Sequence, residues 1–381
     1  MKFQVNRDVF SEAVSFAVKL LPQRTTLPIL SGILIETSND GLTLSSFDYE
    51  VSSQTSITAD VQEQGRILVS GRLLADIASR LPNAPVHFSA QDSRVTVTCG
   101  SAQFTLLSMP VEEYPTLPLI AEETGTVSAD DFSAAVAQVA VAASRDDVTP
   151  VITGVQLEVT DSSLSLVATD RYRVAVRGIE WSSQTQGAAT ITALVPAKTL
   201  QEIGKTFAQS GTISVAITST EDRELIAFRA DKKTVTSLLI KGNFPPVRRL
   251  FPDSVDNYAV INTGELIESV RRVSLVLERE AALRFSFTND GLTLEAIGSE
   301  QAQASESIDA FLTGMDTVVS LKPQFLLDGL SAVHSEFVRI SFTKTDNPNK
   351  PGPVLITSQA SKDQAGADNY RYLLQPNLLL R

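Results

Sequence analysis

Carboxylates are the side chains in this sequence with the clearest chemical potential. Asp146 and Asp147 stand together, Asp170 follows closely, and two such groups could serve as general acid and general base. Nothing in the sequence brings them together, and the plainer reading makes Asp146 and Asp147 solvated loop charges and Asp170 a turn cap. Other reactive types are sparse. His87, in a predicted strand, and His334, at a helix end, have no partners at metal-ligand spacing. Cys99 is the single cysteine, so an intramolecular disulfide is excluded, and its alternating run Arg94 to Cys99 suggests a core thiol in a reducing compartment. No GxGxxG follows a strand and no GxxxxGK[ST] occurs, so no cofactor, nucleotide or metal is expected.

The elements around these residues are written three times. Pro28 to Ile57, Pro150 to Ile179 and Arg279 to Ile308 each carry two alternating apolar and polar runs. The runs are divided by Asp40-Gly41, Ser162-Ser163 or Asp290-Gly291, the pattern of a β-hairpin. A helix precedes each copy. Phe10, Ala13, Val14, Ala17, Val18 and Leu21 form one apolar face, and Phe132, Ala135, Val136, Val139, Ala140 and Ala143 repeat it. Leu266, Val270, Val273 and Leu277 repeat it again, with Ser269 and Ser274 in the other slots. Asn6, Ser128 and Asn262 stand ahead of these ladders as N-cap candidates. A second helix follows each hairpin, with rungs Leu74, Ile77 and Leu81, then Leu200, Ile203 and Phe207, then Leu326, Leu330 and Val333. Further alternating runs close each module, as in Val86 to Ser89, Arg94 to Cys99 and Gln103 to Ser108. The unit is strand, helix, strands, helix, strands.

Proline clusters at Met109 to Leu119 and Asn243 to Asp253 separate the modules. The predicted architecture is therefore α+β, with two helices packed on antiparallel sheets in each of three tandem domains, 1–118, 119–251 and 252–381. The N-terminus has no apolar signal region. The longest apolar stretch, Phe132 to Ala143, falls well short of the roughly 20 residues a membrane span needs. A cytoplasmic protein without membrane contact is expected. A formal charge of −12 argues against wholesale nucleic-acid binding unless basic residues gather on one surface. Three structural copies without a catalytic motif point to a function carried by shape. Three like modules in an arc leave an edge at each end, and two chains can close into a ring if those edges pair.

The sequence resembles the bacterial DNA polymerase III β subunits, the sliding clamps. The resemblance runs through the opening MKFQV, Arg24-Thr-Thr-Leu-Pro-Ile-Leu, Val167-Ala-Thr-Asp-Arg-Tyr-Arg-Val-Ala and Leu194-Val-Pro-Ala-Lys198. It continues through Gly242-Asn-Phe-Pro-Pro-Val-Arg-Arg and the tail Tyr372-Leu-Leu-Gln-Pro376. It implies a three-domain DNA-clamp fold closing as a head-to-tail homodimeric ring around duplex DNA, with helices lining the hole. Such a ring tethers the replicative polymerase and hydrolyses nothing, a separate ATP-driven loader opening it.

Basic residues on or beside the helices are candidates for sequence-blind phosphate contact: Arg24, Arg72, Arg145, Lys198, Lys205, Arg271, Arg272 and Lys322. Arg24, Arg72 and Lys198 match basic positions of the family's DNA-facing surface, whereas Asp146 departs from the polar residues usual beside Arg145. The middle repeat alone carries arginines where repeat one has Asp48-Tyr49-Glu50-Val51, and its exit linker alone reads Pro-Pro-Val-Arg-Arg. The resemblance implies a groove there for short peptides from the DNA polymerase III alpha subunit, the clamp loader and repair proteins. Matching positions are Thr169, Arg173, Val174, Pro245, Arg249, Leu250, Leu373, Leu374 and Pro376. Gln375 replaces a common Met and the tail runs on to Arg381, so peptide preference does not carry over. The resemblance also implies a dimer contact, with Phe104 on the last strand of domain one and Leu275 at the end of a helix of domain three. Deleting the tail from Leu373 onward is expected to abolish peptide binding and polymerase stimulation yet leave dimerisation and DNA encirclement intact. Two readings from other classes stay open: a peptide-binding or structural scaffold that never encircles DNA, which would also explain repeats and acidity, and the carboxylate enzyme.

Overall fold

The computed structural model describes the chain except residues 23–24, 121, 185–189, 220–223, 298–301, 346–350, 367–368 and 379–381. Repeat one runs β1 (Lys2–Val5), α1 (Arg7–Val18), β2 (Gly32–Thr37), β3 (Gly41–Phe47), β4 (Val51–Thr58), β5 (Asp60–Glu63), β6 (Arg66–Ser70), α2 (Gly71–Ala78), β7 (Val86–Gln91), β8 (Arg94–Cys99) and β9 (Ala102–Met109). Repeat two runs β10 (Gly125–Ser128), α3 (Ala129–Ala140), β11 (Gly154–Val159), β12 (Ser163–Thr169), β13 (Arg173–Glu180), β14 (Ser182–Ser183), β15 (Ile191–Pro196), α4 (Ala197–Phe207), β16 (Thr212–Ser219), β17 (Glu224–Ala230) and β18 (Lys233–Leu238). Repeat three runs β19 (Tyr258–Asn262), α5 (Thr263–Val273), β20 (Leu283–Thr288), β21 (Gly291–Ile297), β22 (Gln303–Ile308), β23 (Phe311–Thr313), β24 (Thr317–Leu321), α6 (Pro323–Ala332), β25 (Phe337–Phe342), β26 (Val354–Gln359) and β27 (Arg371–Leu374). The order read from the sequence is met three times.

Local chemistry sets the helix ends. The Asn6 carboxamide oxygen accepts from the amides of Asp8 and Val9 at 2.9 and 3.2 Å, and that of Asn262 accepts from Glu265 at 3.0 Å. The ladder residues Leu21 and Leu81 lie past the ends of α1 and α2. Each precedes a proline, Pro22 or Pro82, which disfavours helical backbone at the residue before it.

The hairpins form at the predicted turns, but each thirty-residue copy holds a third strand: β4, β13 or β22. Asp170 to Tyr172 therefore belong to a turn, and the strand begins at Arg173. The Asp48 carboxylate accepts from the amides of Glu50 and Val51, and that of Asp170 from Tyr172 and Arg173. This bends the chain through left-handed residues Tyr49 (φ 75°) and Arg171 (φ 80°).

The chain divides into two compact units. The first comprises Met1–Asp130, Ser182–Gln186 and Lys205–Leu239. Among the described residues it holds a fourteen-stranded sheet in the order β14-β10-β16-β17-β18-β4-β3-β2-β6-β9-β8-β7-β1-β5, in which the β4–β18 pair joins repeat one to repeat two. Phe10, Val14 and Leu74 of the helices are buried with Phe3, Leu44 and Phe88 of the strands. Cys99 is buried there, its thiol donating to the carbonyls of Pro82 and Ala84.

The second unit comprises Asp131–Trp181, Gly187–Gly204 and Ile240–Arg381. Its described residues form a nine-stranded sheet, β15-β11-β12-β13-β27-β26-β25-β19-β23, and a four-stranded sheet, β22-β21-β20-β24. Here β13 pairs with β27, so the C-terminal segment is a central strand joining repeat two to repeat three.

Candidate functional site

Pairing between β12, β13 and β27 decides which predicted groove residues share a surface. Thr169 lies opposite Val174, and Val174 opposite Leu373, so these three side chains share one face of the sheet. Val167, Val176 and Leu355 continue that face, and Phe244, Val247 and Phe251 of the second linker pack against it. The linker turns through a 3-10 helix, Val247–Leu250, which leaves Arg249 and Leu250 exposed and Pro245 half-buried. Pro376 is buried just past β27.

Arg173 and Leu374 lie opposite each other on the other face. Successive strand residues point to opposite sides of a sheet, so neither faces the linker side, and Arg173 lines a cleft on the other face instead. Leu374 is fully buried. The Arg173 guanidinium is held by Asp170 at 2.9 Å, Asp328 of α6 at 2.6 Å and the Tyr372 hydroxyl at 3.1 Å, and it lies 4.4 Å over the Phe325 ring. Burial works against its charge, but Tyr372, Asp328 and Asp170 together raise its pKa above the ordinary arginine value. Burial pushes the Tyr372 hydroxyl well above the usual tyrosine value, with Arg173 pulling the other way. The Tyr372 hydroxyl donates to the Phe325 carbonyl at 2.7 Å. Arg173 thus fixes α6 to the sheet.

On this second face lies a cleft of about 860 Å³, lined by Ile152, Tyr172, Gln324 and Phe325 and by both signs of charge, with Arg145, Arg171, Arg173, Arg279 and Lys322 against Asp146, Asp170, Glu280 and Asp328. Tyr172 is 62% exposed and its ring centre is 6.1 Å from that of Phe325. The Gln375 amide donates to the Tyr172 carbonyl, tying the tail to the same turn. Asp146 and Asp170 share the cleft, but Asp170 is engaged by its turn and by Arg173, and Asp147 is exposed outside it. Among the described residues no group of three or more His, Cys, Asp or Glu is arranged to hold a metal.

The basic candidates separate into two kinds. Arg72, Arg145 and Lys198 are exposed and make no ion pair among the described residues. Arg271 pairs with Glu268, Arg272 with Glu306 at 2.6 Å and Lys322 with Glu280 at 2.6 Å. The hydrogen bond from Arg272 holds Glu306 below the usual carboxylate range, and Lys322 does the same to Glu280. Lys205 is exposed, and Arg24 lies outside the described residues.

Among the described residues the terminal strands β14, β5, β15, β23, β22 and β24 each have one open edge, and so does most of β9. β9 pairs with β6 only at Ser108 and Met109, so residues 102–107 have a partner, β8, on one side alone. β22 is the edge of the four-stranded sheet. Phe104 is 37% exposed and Leu107 71% exposed on β9. Leu275 lies in a 3-10 turn, Ser274–Val276, just after α5, and is 83% exposed.

Family models for the N-terminal, central and C-terminal domains of the DNA polymerase III beta subunit match residues 1–118, 126–246 and 248–363. The chain belongs to the DNA polymerase III beta subunit family. It is 45% identical over 377 residues to a beta sliding clamp of Streptomyces coelicolor, covering 99% of both chains. It is 37% identical, at the same coverage, to a beta sliding clamp homolog, GriR, of Streptomyces muensis. The DNA polymerase sliding clamp of Bacillus subtilis shares its fold over the full length of both chains, with a TM-score of 0.90 and 26% identity. As a DNA polymerase III beta subunit the chain is a sliding clamp, an accessory subunit that confers processivity in DNA replication and not itself a catalyst.

Sequence reasoning about this clamp missed Tyr172, Phe325 and Asp328. Tyr172 stood inside the very stretch that breaks the repeat symmetry, where repeat one has Glu50. Phe325 carries no such signal, because it lies in α6 beside the apolar rung Leu326, outside the periodic ladder.

Proposed function

We propose that two copies close head to tail into a ring around duplex DNA. The open edges of β9 and β22 carry this reading. Adding β22 of one chain to β9 of another would satisfy both rows of unpaired backbone groups. It would also cover Leu107 and Leu275, each contributing up to roughly 1.5 to 3 kcal/mol when buried, and the exposed part of Phe104, and closure uses the contact twice. Domain limits at 118/119 and 251/252 accompany this reading, and the ring works in the cytoplasm.

Arg72, Arg145 and Lys198, with Arg24 by its sequence match, hold the duplex through phosphates without reading sequence. Partner peptides from the polymerase alpha subunit, the clamp loader and repair proteins dock on repeat two. The linker-side floor of Thr169, Val174 and Leu373 flanks one side, and the Tyr172–Phe325 cleft the other. Leu250 and Arg249 form a rim, and Pro245 and Pro376 bound the surface. Arg173 and Leu374 serve by holding the shape beneath.

Retention on DNA tests the ring. Loaded onto a circular plasmid, the protein should stay bound through a high-salt wash and leave when the plasmid is cut once. Leu275→Asp should give a folded monomer by sedimentation that is not retained on either form. Equal retention on circular and linear DNA would favour a scaffold that never encircles it.

A further inference from the structure

Beyond the apolar floor of the groove, the linker face of the sheet carries two arginines, Arg371 and Arg248, near one another. Arg371 lies opposite Val176 on β13, two residues along from the Val174–Leu373 pair, or about 7 Å. Its guanidinium is half-buried, donating to the Pro252 carbonyl at 3.2 Å and lying 4.5 Å over the Phe251 ring. Among the described residues it has no carboxylate within ion-pair distance. Burial lowers its pKa, and the neighbouring Arg248 lowers it further, against a smaller opposing pull from Asp253. A desolvated cation beside a second cation is an unfavourable arrangement that a bound anion relieves.

Both arginines line a cleft of about 610 Å³ with Ser163, Ser165 and Asn369, whose hydroxyl and amide groups are neutral donors. Arg177 also lines it, and Asp131 and Glu180 belong to the same lining. Arg248 makes 2.7 Å contacts with Glu158, at a position where its side chain remains 45% exposed. Guanidinium forks combined with hydroxyl donors suit an oxyanion with several acceptor oxygens.

We propose that this cleft is an oxyanion subsite for docked partner peptides, with Arg371 and Arg248 receiving a carboxylate or phosphoryl group carried roughly two to four residues from the apolar anchors. The subsite rests on the groove of repeat two being the docking surface. It makes affinity depend on the partner's flanking charge, and on phosphorylation where the flanking residue is serine or threonine.

The test is fluorescence anisotropy on the full-length protein with three labelled peptides. They share a Leu-Phe pair and differ only in flanking residues: glutamine, glutamate or phosphoserine, placed on either side in parallel series. A charged flank in one series should tighten binding about tenfold at low salt, an advantage that shrinks as salt rises. In Arg248→Gln and Arg371→Gln the glutamine peptide should bind as before while the advantage falls toward unity. Arg248→Gln decides the matter if loss of Arg371 disturbs the linker. A glutamate advantage equal to that of phosphoserine marks a general acidic subsite, and a phosphoserine advantage alone marks a phosphoryl subsite. Equal binding of all three peptides, or an advantage undiminished in Arg248→Gln, overturns the subsite while leaving the groove standing. Failure of every peptide to bind removes the groove and the subsite together.

Discussion

The two inter-repeat linkers rest on equivalent surfaces and finish them differently. Met109, Val111, Tyr114 and Leu117 of the first linker pack on Leu34, Phe47 and Leu68 of repeat one. Tyr114 is buried, its hydroxyl accepting from the Phe47 amide at 2.7 Å. In repeat two the place of Phe47 is taken by Thr169, whose hydroxyl stays within its own turn, donating to the Arg173 carbonyl and accepting from the Arg171 amide. The second linker packs Val247, Phe244 and Phe251 on the neighbouring Val167, Val174 and Leu373 and leaves Leu250 52% exposed. The first linker closes over its sheet with a buried tyrosine and exposes an apolar side chain only at its end, Leu119, whereas the second leaves Leu250 exposed beside the apolar patch itself. The same three-stranded scaffold becomes either a closed core or a docking surface through a few side chains.

The largest expected effect comes from giving repeat two the residue of repeat one. Arg173→Val leaves Asp170 and Asp328 without their shared cation. It should destabilise the chain by about 3 to 5 kcal/mol in urea unfolding, as loss of one partner of a buried ion pair does. An added Asp328→Leu should recover part of that loss.

Alkali should open the sealed side. Burial pushes the Tyr114 hydroxyl up to about 12, whereas an unfolded tyrosine ionises near 10, so the folded chain holds this proton more tightly. The resulting stability, about 2 to 3 kcal/mol, is fully present below about pH 10 and lost as pH rises toward 12. Tyr114→Phe should abolish this component of the pH dependence of denaturant midpoints.

Thr169→Phe should make the second surface resemble the first. It should cost about 1 to 3 kcal/mol by overpacking and block binding of a Leu-Phe peptide in calorimetry. The smallest stability change is expected for Leu250→Asp, within about 0.5 kcal/mol as for most surface changes. It should nevertheless weaken the same peptide more than about tenfold, since exposed apolar residues at a docking margin act on binding alone.

Much of this was legible in the sequence because its signals are local. The helix ladders, the Asn6 and Asn262 caps and the hairpin turns need only neighbouring residues. The third strand was hidden because its turn places Tyr49 and Arg171 at positive φ, with an aspartate in place of a glycine to mark it. The split of the groove residues between two faces was hidden for another reason. Whether Arg173 or Val174 faces the linker depends on register against β27, a strand from the next repeat, and a step of one residue reverses the answer. The same pairing makes β27 a central strand with Tyr372, Leu373 and Leu374 buried. The tail is therefore not dispensable from Leu373 onward, and past Pro376 the Asn377 amide still donates to the Ser320 carbonyl of β24 at 2.8 Å.

Hydrogen exchange with and without a Leu-Phe peptide tests the contrast between the linkers most directly. Binding should slow exchange at residues 172–176, 247–250 and 371–376 and leave 47–51 and 111–117 unchanged. Protection at Phe47 to Val51 and Val111 to Leu117, with none in repeat two, would contradict it.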